Sequence, residues 1–301
     1  MGNAATKAKE ATSKAREAHT QHKSKPKNTK SVQQQKIQTA KATGVLALPE
    51  RKLKHVPAEV LELTALRTLD LSQNRLEELP LEIARLTSLK ILKLQSNALT
   101  TLPDLSALTA LTTYPSPSHA TLTVDLRGQL ILDGNAIQSL PHALPPNLTK
   151  LSLKGNQLRG IPPTVTALAQ LKELDVSENQ LSEIPPHIAQ LSELVDLCVD
   201  RNGIFALPAV LAECRKLKAL SARHNQLRGL QKGEAARPQS IAPEILETSG
   251  VNILNLEGNP MSKTELEAMD GIDAFMERRT LLKNKEIHGG LNADTSLCGL
   301  D

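Results

Sequence analysis

The chain has 301 residues, a formal net charge of +4, and 52 leucines with none before Leu46, but no Trp, one Tyr and two Phe. A compact core of this size draws its largest buried pieces from aromatics, so a leucine interior argues against two ordinary globules and for a small repeated unit. The same shortage argues against folds that stack bases on aromatic rings, which makes nucleic acid an unlikely partner.

Charge is unevenly spread. Residues 1–41 hold ten basic and two acidic residues, and the remainder holds 26 basic and 30 acidic, so a +8 arm precedes a −4 body. The arm is polar and leucine-free, which predicts a flexible tether over residues 1–42. It opens Met1-Gly2-Asn3-Ala4-Ala5-Thr6, which fits the pattern for N-myristoylation of Gly2. One myristoyl chain binds a membrane with only about 10⁴ M⁻¹, so a second signal is needed. Lys7, Lys9, Lys14 and Arg16 supply it, at about 1 kcal/mol for each residue held near an anionic surface. Rival readings of the run are a solvated tail and a nuclear-import or nucleic-acid patch around Lys23–Lys27. No secretory apolar segment opens the chain and no apolar run approaches the ~18 residues that span a bilayer. The three cysteines are odd in number and far apart, which suits a reducing compartment. The expected location is cytoplasmic, at a membrane periphery.

A repeat follows. It is spelled Leu66-x-x-Leu69-x-Leu71-x-x-Asn74-x-Leu76-x-x-Leu79-Pro80 and returns at Asn97, Asn156, Asn179, Asn202 and Asn225, with degenerate copies at Asn135 and Asn259. A worn copy, Val45 to Leu63, has Arg51 in the Asn position. Two gaps between asparagines exceed one period, which predicts insertions near residues 112–129 and 231–241. The first, with Tyr114-Pro115-Ser116-Pro117-Ser118-His119, reads as a surface loop, and Leu122-x-Val124-x-Leu126 as a further strand.

The L-x-L alternation places its leucines on one face of a short strand. Each Asn, where the chain turns off the strand, offers both a donor and an acceptor to backbone groups of adjacent coils. Leu-Pro then begins the return, because proline cannot pair in a ladder. This pattern resembles the leucine-rich-repeat family, in its 23-residue intracellular form. The resemblance implies an α/β solenoid over residues 43–261, with a curved parallel sheet on the concave side and irregular or helical segments on the convex side, and no enzyme activity. Met1-Gly2-Asn3, Thr43-Gly44-Val45 and Met269–Arg278 further resemble small intracellular members expected to be lipid-anchored through the glycine after Met1.

Both ends of a solenoid need caps. Ser262-Lys263-Thr264-Glu265 reads as a capping box, opening helices over residues 262–287 whose Leu266, Met269, Phe275 and Met276 cover the last coil. Residues 288–301 read as a flexible tail. Gly155-Asn156-Gln157-Leu158-Arg159-Gly160 has the outer glycines of a phosphate loop but lacks the following Lys-Ser/Thr, and no nucleophile–base, metal or cofactor motif occurs. Side chains between the buried leucines form the expected partner face: Lys150 and Lys154, then Glu173, Asp175, Glu178, Asp196 and Asp200, then Arg201, Arg223 and His224. The acids suggest a basic protein segment as partner, with no small-molecule substrate. The leading expectation is a non-catalytic adaptor at a cytosolic membrane face. The alternatives are a soluble regulatory subunit of a phosphatase or small-GTPase complex, and a nuclear scaffold using the basic arm.

Overall fold

The computed structural model describes residues 29–108, 128–229, 239–289 and 298–300. Six α-helices fall among them: α1 (Thr29–Thr43), α2 (Ala58–Leu61), α3 (Pro163–Thr166), α4 (Pro243–Glu247), α5 (Lys263–Glu267) and α6 (Ile272–Gly289). Each coil adds one three-residue strand: β1 (Val45–Ala47), β2 (Thr68–Asp70), β3 (Ile91–Lys93), β4 (Gln129–Ile131), β5 (Lys150–Ser152), β6 (Glu173–Asp175), β7 (Asp196–Cys198), β8 (Ala219–Ser221) and β9 (Ile253–Asn255). They form one open sheet in strict chain order. The middle leucine of every strand is buried and in register with the next, so a one-residue slip would turn the whole column outward. Both insertions leave that register intact, since Leu92 still pairs with Leu130 and Leu220 with Leu254. Long surface loops cost little to close. Residues 109–127, which hold the expected loop and further strand, lie outside the described residues.

The turn off each strand is also repeated. The residue before each ladder Asn has a left-handed backbone, from His224 at φ 51 to Gly258 at φ 74. At Gly258 an added Cβ would also press against the His224 ring, which would have to shift. The returns begin at extended prolines such as Pro80, Pro162, Pro185 and Pro208 and continue as single helical turns. The core is one continuous cluster along the stack, from Ile37 to Cys298.

Two boundaries and one capping residue differ from the sequence reading. Residues 29–43 are helical, within the segment expected to be a flexible arm; residues 1–28 lie outside the described residues. Ile37 and Ala40, one helical turn apart, are buried against β1, and Lys36 Nζ donates to the Ala47 carbonyl at 2.9 Å. The reason is the otherwise open edge of β1. Gly44, with φ 69, ends the helix in the left-handed conformation that favours glycine. At the rear, Ser262 and Glu265 form the expected capping box, and Leu266, Met269 and Phe275 are buried. Met276, however, is 38% exposed, since adjacent helical residues point about 100° apart. The expected tail is not uniformly loose either. α6 runs to Gly289, and the Cys298 carbonyl accepts from Leu256 N at 2.8 Å. That bond repeats the one from Ala222 N to the Asn255 carbonyl at 2.9 Å, so residues 298–300 close the free edge of β9.

Candidate functional site

The first and third residue of each strand face away from the core. Together they make the concave face. Over β4 to β9 this face holds a hollow of about 420 Å³. Its floor is partly apolar, with Ile131, Cys198 and Ala219, and partly hydroxyl or amide, with Ser152, Ser221 and Asn255. Four acids line it, Asp133, Glu173, Asp175 and Asp196, against one base, Lys150.

The hollow gathers four of the expected partner residues: Lys150, Glu173, Asp175 and Asp196. The other six, Lys154, Glu178, Asp200, Arg201, Arg223 and His224, stand on the turns beyond the strands and form a rim. There the charges are largely paired. Glu178 takes Lys154 at 3.3 Å and Arg201 at 3.9 Å, and Arg223 pairs with Glu257 at 3.7 Å. The bond to Glu178 raises the pKa of Lys154. The His224 ring lies beside Gly258, where a Cβ would stand. Inside the hollow, Lys150 reaches Glu173 at 2.5 Å.

Two acids that looked free in the sequence have structural partners. Asp175 Oδ1 accepts from the backbone and hydroxyl of Ser177 at 2.9 and 2.6 Å. Asp200 Oδ1 accepts from the Ser221 hydroxyl and the Arg223 N–H, both at 2.7 Å, and so bridges two coils. Asp133, which the sequence reading missed, makes the same bridge to the Ser152 hydroxyl and Lys154 N–H. The signal was available: an Asp two residues before one Asn, then a Ser as third strand residue in the next coil. Asp196 is exposed and forms no ion pair among the described residues. Its pKa is raised, first by partial desolvation at the floor of the open hollow and then by Glu173, with Lys150 opposing. Burial also raises Asp133, against its bond from Ser152. Burial pushes the Cys198 thiol up to about 11, so it stays protonated and unreactive near neutrality.

The asparagine ladder fixes the strands that carry this face. Asn156 Nδ2 donates to the Leu132 carbonyl of the previous coil at 3.1 Å and to Leu153 of its own at 2.8 Å. Its Oδ1 accepts from Ile137 N at 3.0 Å. Asn74, Asn97, Asn135, Asn179, Asn202, Asn225 and Asn259 make the same cross-coil pair of bonds. Gly2, Lys7, Lys9, Lys14 and Arg16 lie outside the described residues. Among the described residues no helix is long and apolar enough to cross a membrane, and no group of three or more His, Cys, Asp or Glu side chains could hold a metal ion.

Comparison with known proteins agrees with this geometry. Residues 146–204 match the model described as "Leucine rich repeat", and residues 64–113 the model described as "Leucine Rich repeats (2 copies)". No curated protein matches the sequence significantly. Among solved structures, a leucine-rich-repeat protein of Leptospira interrogans is 26% identical, with a TM-score of 0.38, over 79% of this chain and 73% of that one. A TDR receptor is 24% identical, with a TM-score of 0.54, over 72% of this chain and 35% of that one. The plant peptide hormone receptor RGFR1, in complex with RGF2, is 23% identical, with a TM-score of 0.46, over 72% of this chain and 36% of that one. The repeated strand, the Asn ladder and the two matched segments lead to one conclusion: residues 64–113 and 146–204 are leucine-rich repeats, and the described residues fold as a leucine-rich-repeat solenoid.

Proposed function

We propose that the chain is a non-catalytic adaptor that binds a protein segment of basic character on its concave face while held at the cytosolic side of a membrane. The observation that carries this reading is the hollow, an open sheet face whose four acids outnumber its one base. Repeat folds present such extended faces to partners, and a surface of one sign favours a partner of the other. The attachment is supported by the start of the chain. Gly2 sits in an acylation pattern, and Lys7, Lys9, Lys14 and Arg16 add the second signal that a single acyl chain requires.

The test combines metabolic labelling by an alkynyl myristate analogue with affinity capture, using wild type and Gly2→Ala. Wild type takes up the label and sediments with membranes, and Gly2→Ala does neither. Partners captured through the concave face are lost with Asp196→Lys in both backgrounds. Label-free, soluble wild type would remove the anchor, and capture indifferent to Asp196→Lys would remove the partner face.

A further inference from the structure

We propose that the chain's own N-terminal segment, residues 1–28, docks into the hollow of the concave sheet face. The first argument is charge. With Asp133, Glu173, Asp175 and Asp196 against Lys150, the hollow carries a formal charge of −3 (four acids less one base). Residues 1–28 carry seven basic residues, Lys7, Lys9, Lys14, Arg16, Lys23, Lys25 and Lys27, against Glu10 and Glu17, a formal charge of +5 (seven less two). Asp196 has no ion-pair partner among the described residues and lies exposed in the hollow, so a cation arriving there displaces nothing.

The second argument is reach. The segment joins the body at Thr29, the start of α1. The bond from Lys36 to the end of β1 sets this helix against the first strand, at the front of the sheet. From β1 to β6 and β7 is five to six strand spacings, about 24–29 Å. Twenty-eight residues span up to about 90 Å when extended. Tethering adds to both arguments, because a linked segment meets its site at an effective concentration in the millimolar range.

One consequence rests on the membrane reading; the docking itself does not. The same basic residues cannot lie on an anionic surface and in the hollow together. Membrane attachment therefore withdraws the segment and opens the face to a partner.

The experiment uses the full, unlipidated chain without membranes, so it stands whether or not Gly2 is acylated. A zero-length carbodiimide joins lysines to carboxylates in contact, and mass spectrometry maps the joined pairs. The expected result is cross-links within one chain from the segment's lysines to Glu173 and Asp196. They should be lost at 1 M salt, where the screening length falls to about 3 Å. A fluorophore on Thr12→Cys provides an independent readout. Its rotational anisotropy should fall in Glu173→Lys plus Asp196→Lys, and in the gentler Glu173→Gln plus Asp196→Asn. Both positions are exposed. Cross-links spread equally to acids of the convex side such as Glu82 and Glu213 would overturn the proposal. So would joining only between two chains, or an anisotropy that both double variants leave unchanged.

Discussion

Each Asn of the ladder serves two coils at once, which makes it costly to replace. Asn156 is 7% exposed and completes the backbone of Leu132, Leu153 and Ile137. Asn156→Ala leaves these groups without partners in a place water does not reach. The expected loss is about 1–3 kcal/mol, read as a lower urea midpoint with an unchanged slope; a loss confined to a few tenths would refute the role. Asp133 behaves differently. Its carboxylate is held by Ser152 and Lys154, but burial raises its pKa in the folded chain. A raised folded pKa favours the folded state fully below the unfolded value, and that contribution fades as pH rises through the folded one. Wild type should therefore gain on Asp133→Asn as pH falls from about 7 to about 4, compared by denaturation at each pH. A constant difference across that window would count against the buried charge.

At the scale of elements, the strands need the caps more than their own pairing. Three-residue strands are short, and the two outermost leave open edges. α1 closes one with Ile37, Ala40 and Lys36. The other depends on α5, α6 and residues 298–300. Arg278 of α6 clamps the last turn of α4. Its guanidinium donates to the carbonyls of Leu246 at 2.6 Å, Glu247 at 3.0 Å and Val251 at 3.1 Å, where a helix end leaves acceptors unmatched. Arg278→Ala should cost about 1.5–3 kcal/mol, the range for bonds to a charged donor. In a stack of nearest-neighbour units the damage stays local. Amide exchange should accelerate in β8 and β9 and stay slow in β2 and β3. Uniform acceleration along the sheet would contradict a stack of semi-independent coils.

For the whole molecule, the proposed anchor at Gly2 and the proposed interaction face fall on different parts of a quasi-linear chain. Gly2→Ala should move the chain from membrane to soluble fractions without changing its melting temperature, and in the presence of membranes it should bind a basic peptide more weakly, because the released segment returns to the hollow. Loss of folding in that variant would mean that the start of the chain belongs to the body. The charge layout follows the same division. The basic excess lies before the first coil, while the acids gather in the hollow over its central and rear coils.

The sequence by itself determined the architecture. Leucines of period two, each followed by Asn and then Leu-Pro, admit one buried face and one direction of turn, so the number and order of coils were readable residue by residue. The insertions were readable as well, because strand register depends on the leucine column and not on loop length. Tertiary structure alone decided the edges and the chemistry of the face. Ile37 and Ala40 carry too little apolar signal to announce a cap, and Cys298 meets Leu256 from 42 residues away. Asp175, Asp196 and Asp200 look alike in the chain, yet the bonds of Asp175 and Asp200 go to Ser177, Ser221 and Arg223 while Asp196 stands open. Which carboxylate is tied into the frame and which stands open depends on the coil stacked beside it, and spacing along one chain does not encode that neighbour.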